Sequence, residues 1–164
     1  MAGKKVALYG MLTALAFVLS YVESLLPVYF AVPGMKLGLT NLVVLTALYR
    51  MRERDALLLN IVRIVLVGLT FGSMFSMLYS LAGGVLSWLV MTLLHRSPSF
   101  SITGVSIAGG VAHNVGQILV AICVLETTAL IYYLPFLLIS GLAAGAVIGL
   151  LGSQLVKRLP ASYA

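Results

Sequence analysis

The chain has 164 residues, 62% of them hydrophobic and only 9% charged, with a mean hydropathy of +1.14. That balance excludes a water-soluble domain, because long apolar runs almost free of charge read as membrane spans. The net charge of +6 is not a nucleic-acid footprint, since the basic residues lie at the ends of apolar segments rather than in one patch, so no nucleic acid is expected as a partner.

In chain order, the apolar run from Val6 to Leu26 is too long for a signal-peptide core and is followed by no small-residue cleavage site, so it reads as a retained first helix. Pro27 and Pro33 then bracket a short loop expected to form a defined cap. Further helices are expected over Leu37 to Tyr49, Ala56 to Leu69, Met74 to Leu94, Ile102 to Leu125 and Thr128 to Val156. This is an all-α polytopic membrane protein of six transmembrane helices, with residues 1–164 in one integral membrane domain. The second and third helices are short for a core about 30 Å thick at about 1.5 Å rise per residue. They must tilt, extend through their polar flanks, or border a water-filled cavity.

Eight of the ten basic residues fall on one side if the N-terminus is inside: Lys4, Lys5, Arg50, Arg52, Arg54, Arg96, Lys157 and Arg158. By the positive-inside rule the chain is a multi-pass protein of the plasma membrane, in contact with the lipid bilayer, with both termini cytoplasmic. Glu23, Lys36 and Glu126 then lie near the outer ends. Small residues mark packing faces. Gly141, Gly145 and Gly149 recur every four residues in the sixth helix, and Gly3, Ala7, Gly10 and Ala14 give a weaker stripe in the first. Each stripe is read as either an internal helix contact or a docking face. The single cysteine, Cys123, reads as a small core residue. Tyr21, Tyr29, Phe30, Tyr79, Trp88, Tyr132 and Tyr133 are read as interfacial belts or as ligand-stacking groups.

Polar residues within the spans are few, which makes them the candidate substrate-binding set. Lys36 and Asn41 sit in Pro33-Gly34-Met35-Lys36-Leu37-Gly38-Leu39-Thr40-Asn41, at the mouth of an apolar segment. Lys36 is equally a headgroup anchor by its position alone. Asn60 and Arg63 share a face of the third helix, and an arginine at that depth needs pairing or hydration. Its other reading is a structural pair with Glu23 or Glu126. His113, Asn114 and Gln117 place three hydrogen-bonding side chains within five positions of the fifth helix.

Enzyme signatures are missing. The one aspartate, Asp55, cannot form the paired aspartate motifs that hold Mg2+ for prenyl diphosphate chemistry, and there is no Walker A loop, catalytic triad or two-histidine metal motif. No catalytic residue, metal or cofactor is therefore expected, and the chain is read as a non-enzyme.

The stretch 33–41, the run Tyr79-Ser80-Leu81-Ala82-Gly83-Gly84 with Ser87, and Gly104-Val105-Ser106 followed by Ala112-His113-Asn114-Val115-Gly116-Gln117 resemble the Gx transporter family, also called heptaprenyl diphosphate synthase component I. That family is in turn similar to the substrate-binding S components of energy-coupling factor (ECF) vitamin transporters. The resemblance implies an S-component-like bundle that captures a small vitamin-like or anionic molecule, with a quinone or isoprenoid precursor among the candidates. It also implies a transmembrane coupling subunit and two ATPase subunits as partners, and Lys36, Asn41, Arg63, His113, Asn114 and Gln117 as the site. The rival reading is a non-catalytic membrane anchor for a prenyl diphosphate synthase or another quinone-pathway enzyme. An independent ion-coupled carrier would call for internal repeats, and none is evident.

The topology is testable by single-cysteine labelling on a Cys123→Ala background. Phe30→Cys should react with an impermeant reagent from outside and Arg52→Cys only from inside; the reverse pattern would overturn the orientation.

Overall fold

In a computed structural model of the protein, the described residues are 2–25 and 38–159, and they form six α-helices with no strand among them. These are α1 (Ala2–Leu25), α2 (Leu39–Arg50), α3 (Glu53–Thr70), α4 (Met74–His95), α5 (Ile102–Leu125) and α6 (Leu134–Arg158), with a 3-10 helix at Thr128–Tyr133. The prolines of the first loop, Lys36, and the Leu37 start expected for the second helix lie outside the described residues. Val6–Leu25, Met74–His95, Ile102–Leu125 and Thr128–Arg158 are each long and apolar enough to cross a membrane, and Leu39–Arg50 is a shorter apolar helix.

The first helix begins at Ala2 rather than Val6, and two further starts move for a local reason. The third helix starts three residues early, at Glu53 rather than Ala56. Glu53 and Asp55 stand in its first turn, where carboxylates offset the exposed N–H groups and the positive end of the helix dipole. The sixth does not begin at Thr128 as an α-helix. Pro135 has no N–H and fits only in a first turn, so α6 starts at Leu134 behind the 3-10 segment.

The short α2 is the centre of the bundle. Six consecutive residues from Val43 to Leu48 are buried together with Thr40, which is possible only for a helix surrounded on all sides. It packs against α1, α3 and α6, while α1, α3, α4, α5 and α6 follow one another around it. The Ser20 and Thr40 hydroxyls share a buried hydrogen bond of 2.8 Å that ties α1 to α2. At about 18 Å long α2 cannot cross the bilayer by itself, whereas α3, at about 27 Å, nearly can.

The glycine stripe of α6 is an internal contact. A Cβ at Gly145 would sit 2.7 Å from the Ile107 Cα, and one at Gly141 would sit 2.9 Å from the Gly110 carbonyl oxygen, so α5 and α6 touch backbone to backbone. The stripe of α1 behaves differently: Ala7, Gly10 and Ala14 are exposed, and nothing lies within 4 Å of a Cβ placed at Gly10.

Arg50, the start of α3, Arg96 and the end of α6 fall at one end of the bundle. There Arg96 holds Glu53 through Nε–Oε1 (3.0 Å) and Nη2–Oε2 (2.5 Å) hydrogen bonds, and Trp88 Nε1 donates to the Glu53 carbonyl at 2.9 Å. The outer surface is apolar, with Met11, Leu69, Leu93, Ile139 and Leu150 all exposed, as a lipid-facing surface requires. Cys123 is exposed on that surface rather than buried in the core; the buried positions of α5 are Val105, Ser106, Gly109, Ala112, Gly116 and Ile118.

Gly145→Ala, forced against backbone, should lower the unfolding free energy by about 1–3 kcal/mol. Gly10→Ala should leave it unchanged or raise it by up to about 1 kcal/mol through helix propensity. Thermal unfolding of both variants in mild detergent checks the packing.

Candidate functional site

The glycines that let α5 approach α4 and α6 also leave a space that the larger apolar side chains do not fill. A cavity of about 70 Å³, counted as room for the centres of water molecules, lies between α2, α4, α5 and α6, with α1 and α3 closing one side. It admits about five waters, or a small polar molecule of similar bulk. Its lining runs from Glu23, Gly38 and Gln117 down to Met91, Ser106 and Ile148 near the arginine-rich end.

Five of the seven residues expected to bind substrate border this cavity: Asn41 from α2, Arg63 from α3, and His113, Asn114 and Gln117 from α5. Lys36 lies outside the described residues. Asn60 is placed differently from the expectation. It is 2% exposed and does not line the cavity; its Nδ2 donates to the Gly84 carbonyl of α4 at 3.1 Å, and its Oδ1 accepts from Arg63 Nη2 at 2.6 Å. Asn60 therefore aims the guanidinium rather than offering itself to a ligand. A Cβ at Gly84 would fall 2.9 Å from Asn60 Nδ2, so the glycine makes the arrangement possible.

Arg63 retains donors after this bond. Its Nε is buried and meets no acceptor among the described residues. Asn114 spends its Nδ2 on α6, donating to the Leu137 carbonyl at 2.6 Å and lying 3.3 Å from the Ser140 hydroxyl. The side chains of Asn41 and Gln117 border the cavity with no hydrogen bond to another described residue. His113 is seated by Gly83, where a Cβ would lie 2.7 Å from the His113 carbonyl oxygen and 3.1 Å from its Cε1.

The structure adds residues that the candidate set omitted. Glu23 lines the cavity, is 8% exposed, accepts a hydrogen bond from the Gly38 N–H, and interacts electrostatically with Arg63. Its signal in the sequence was a carboxylate within an apolar run, read there only as an outer-end residue or a partner for Arg63. Ser80, Ser87, Ser106 and Ser140 complete the polar wall. Ser80, Ser87 and Ser106 stand in the stretches that carry the family resemblance, but serines are common at helix contacts in membranes, so spacing alone does not mark them as site residues. A smaller cavity of about 30 Å³ between α1, α3 and α4 shares Glu23, Arg63 and Ser80 with the first. Among the aromatic candidates, Tyr21, Tyr132 and Tyr133 are exposed, and Trp88 is engaged with α3, so none of these stacks over the cavity.

The profile of one protein family, described as heptaprenyl diphosphate synthase component I, matches residues 12–155. The chain belongs to that family. The match takes in every helix that lines the cavity, and thus the polar wall sits inside the family's defining region. No curated protein and no solved structure matches the chain.

Asn60→Ala would leave an Arg63 N–H without its acceptor and take a second donor from the Gly84 carbonyl, and should cost about 1–3 kcal/mol of stability. Gln117→Ala, which removes no hydrogen bond among the described residues, should cost less than about 1 kcal/mol. Denaturation of the two variants side by side measures the difference.

Proposed function

We propose that this member of the heptaprenyl diphosphate synthase component I family is a membrane-embedded substrate-binding subunit of an ECF-type transporter, capturing a small polar molecule that bears an anionic or carbonyl group. The observation that supports this most is the convergence of Asn41, Arg63, His113, Asn114 and Gln117, from three helices, on one internal cavity. Polar groups at that depth are costly in a membrane and are characteristic of substrate paths. The donors they offer suit an anion or a carbonyl. The small volume and the serine- and glycine-rich wall favour a compact polar ligand over a quinone or isoprenoid body.

Energy for uptake comes from a partner, since the chain has no nucleotide-binding loop of its own. By resemblance to S components, that partner is a coupling subunit with two ATPase subunits. The exposed Ala7, Gly10 and Ala14 of α1 offer a surface on which another helix can close. The orientation keeps both termini in the cytoplasm and opens the Gly38 end of the cavity outward, following the basic residues. On this reading the chain is not an enzyme; with Asp55 as its one aspartate it cannot build the paired-carboxylate Mg2+ site of a prenyl synthase. The family's description favours a second reading, a non-catalytic membrane partner of such a synthase.

Gentle purification followed by native mass spectrometry separates the two. The transporter reading predicts a retained small molecule and copurifying ATPase subunits. A protein that never carries a small molecule and copurifies with a soluble prenyl synthase would contradict it.

A further inference from the structure

Hydrogen-bonding capacity along the cavity wall is unspent, and it is of both kinds. Arg63 has donors only, and its buried Nε meets no acceptor among the described residues. Asn114 has the opposite excess. Its Nδ2 is committed to the Leu137 carbonyl and the Ser140 hydroxyl of α6, which leaves Oδ1 as an acceptor with no donor among the described residues. The carboxamides of Asn41 and Gln117, each a donor and an acceptor, make no hydrogen bond to another described residue. Serine hydroxyls extend the wall toward the arginine-rich end. Thr46, Ser140 and Ser153 turn their hydroxyls back onto a carbonyl of their own helix, whereas Ser87 and Ser106 do not, although they are only 4% and 5% exposed. Neither oxygen is sealed in the packing, so both open onto the cavity.

A buried polar group needs a partner of the opposite kind, and leaving it without one costs more than an ordinary hydrogen bond returns. A bare carboxylate or ketone answers Arg63 but brings no donor for Asn114 Oδ1 or for the other amide oxygens. A hydroxyl donates and accepts at once without adding charge, and so can pair with every amide and serine on the wall. Shape narrows the choice further. On α5 the lining runs from Ser106 to Gln117, about 16 Å of helix at about 1.5 Å per residue. A volume of about 70 Å³ drawn out over that length is a slot about one chain wide. We infer that the site takes a short open-chain hydroxy acid, with its carboxylate on Arg63 and its hydroxyls on Asn41, Asn114, Gln117 and the serines. Glu23 and His113 have interactions of their own and are assigned no contact. This deepens the substrate-binding reading and rests on it.

The test uses the full-length protein in lipid nanodiscs and follows thermal unfolding with defined probes. Glycerate, lactate and propionate keep the carboxylate while losing one hydroxyl at a time, and threonate and butyrate repeat the comparison with one more carbon. Glycerol and threitol lack the carboxylate, and serine carries an ammonium in place of one hydroxyl of glycerate. At least one hydroxy acid should raise Tm, and each hydroxyl removed should weaken affinity by roughly five- to a hundredfold, with the matching polyol weaker as well. Gln117→Ala and Ser87→Ala remove no hydrogen bond among the described residues, so the fold should hold; at least one of them should narrow the gap between the hydroxy acid and its deoxy counterpart. A molecule retained on purification that bears a carboxylate and hydroxyls supports the assignment whichever probes bind. Equal stabilisation by propionate or butyrate, a gap unchanged in both variants, or tighter binding of serine than of glycerate overturns the hydroxy acid and leaves the substrate-binding reading standing. So does a retained molecule that lacks either group. If no probe stabilises the protein and nothing is retained, both fall.

Discussion

A guanidinium in the middle of a membrane protein is the constraint around which this bundle is built. An unpaired arginine at the centre of a span costs about 3 kcal/mol even on the lenient scale of translocon insertion. Here the cost is offset by a chain of contacts that runs through three helices: the Gly84 carbonyl to Asn60, Asn60 to Arg63, and Arg63 to the field of Glu23. Gly84 and Gly83 are part of that solution, since side chains at either position would strike Asn60 or His113. The polar wall and the backbone-close packing of α4, α5 and α6 are thus two aspects of one arrangement. Small residues bring the helices close, and the groups they bring together are polar.

The central α2 serves the same end. A helix of 12 residues cannot span the bilayer, yet it is the most buried element of the fold. Its N-terminus begins inside the protein at Gly38, whose left-handed backbone (φ 75°) is available to glycine at little cost. Non-spanning backbone at membrane depth is tolerated where it borders a cavity, and Gly38, Thr40, Asn41 and Leu45 do border one. The shortness of this helix is therefore bound up with the cavity it helps to enclose.

Much of this was legible from residues alone, and the reasons are specific. The four long helices announce themselves by length and apolarity, and α5 spans the expected residues, with the Ser101 side chain capping its start and a left-handed Glu126 at its end. Arg63, His113, Asn114 and Gln117 stand out because polar groups are scarce in the spans. Asn60 shows where such reading stops: spacing put it on the face of Arg63, but whether an amide meets a ligand or a neighbouring carbonyl depends on the approach of α4, which helical periodicity does not encode. Glu23 lies 40 residues from Arg63 in sequence, so their encounter is a matter of tertiary packing. The α6 stripe signalled a close contact without naming its partner; the facing Gly110 and Ile107 backbone of α5 supplies it.

The account stands on Arg63 acting as a ligand-binding cation rather than as one half of a structural pair. The most direct measurement is native mass spectrometry of small-molecule occupancy in wild type and Arg63→Ala, with thermal unfolding of both. Loss of a charge-assisted contact should weaken retention by roughly ten- to a hundredfold while the fold survives. An Arg63→Ala protein that melts far below wild type yet keeps its bound molecule at wild-type occupancy would contradict the account.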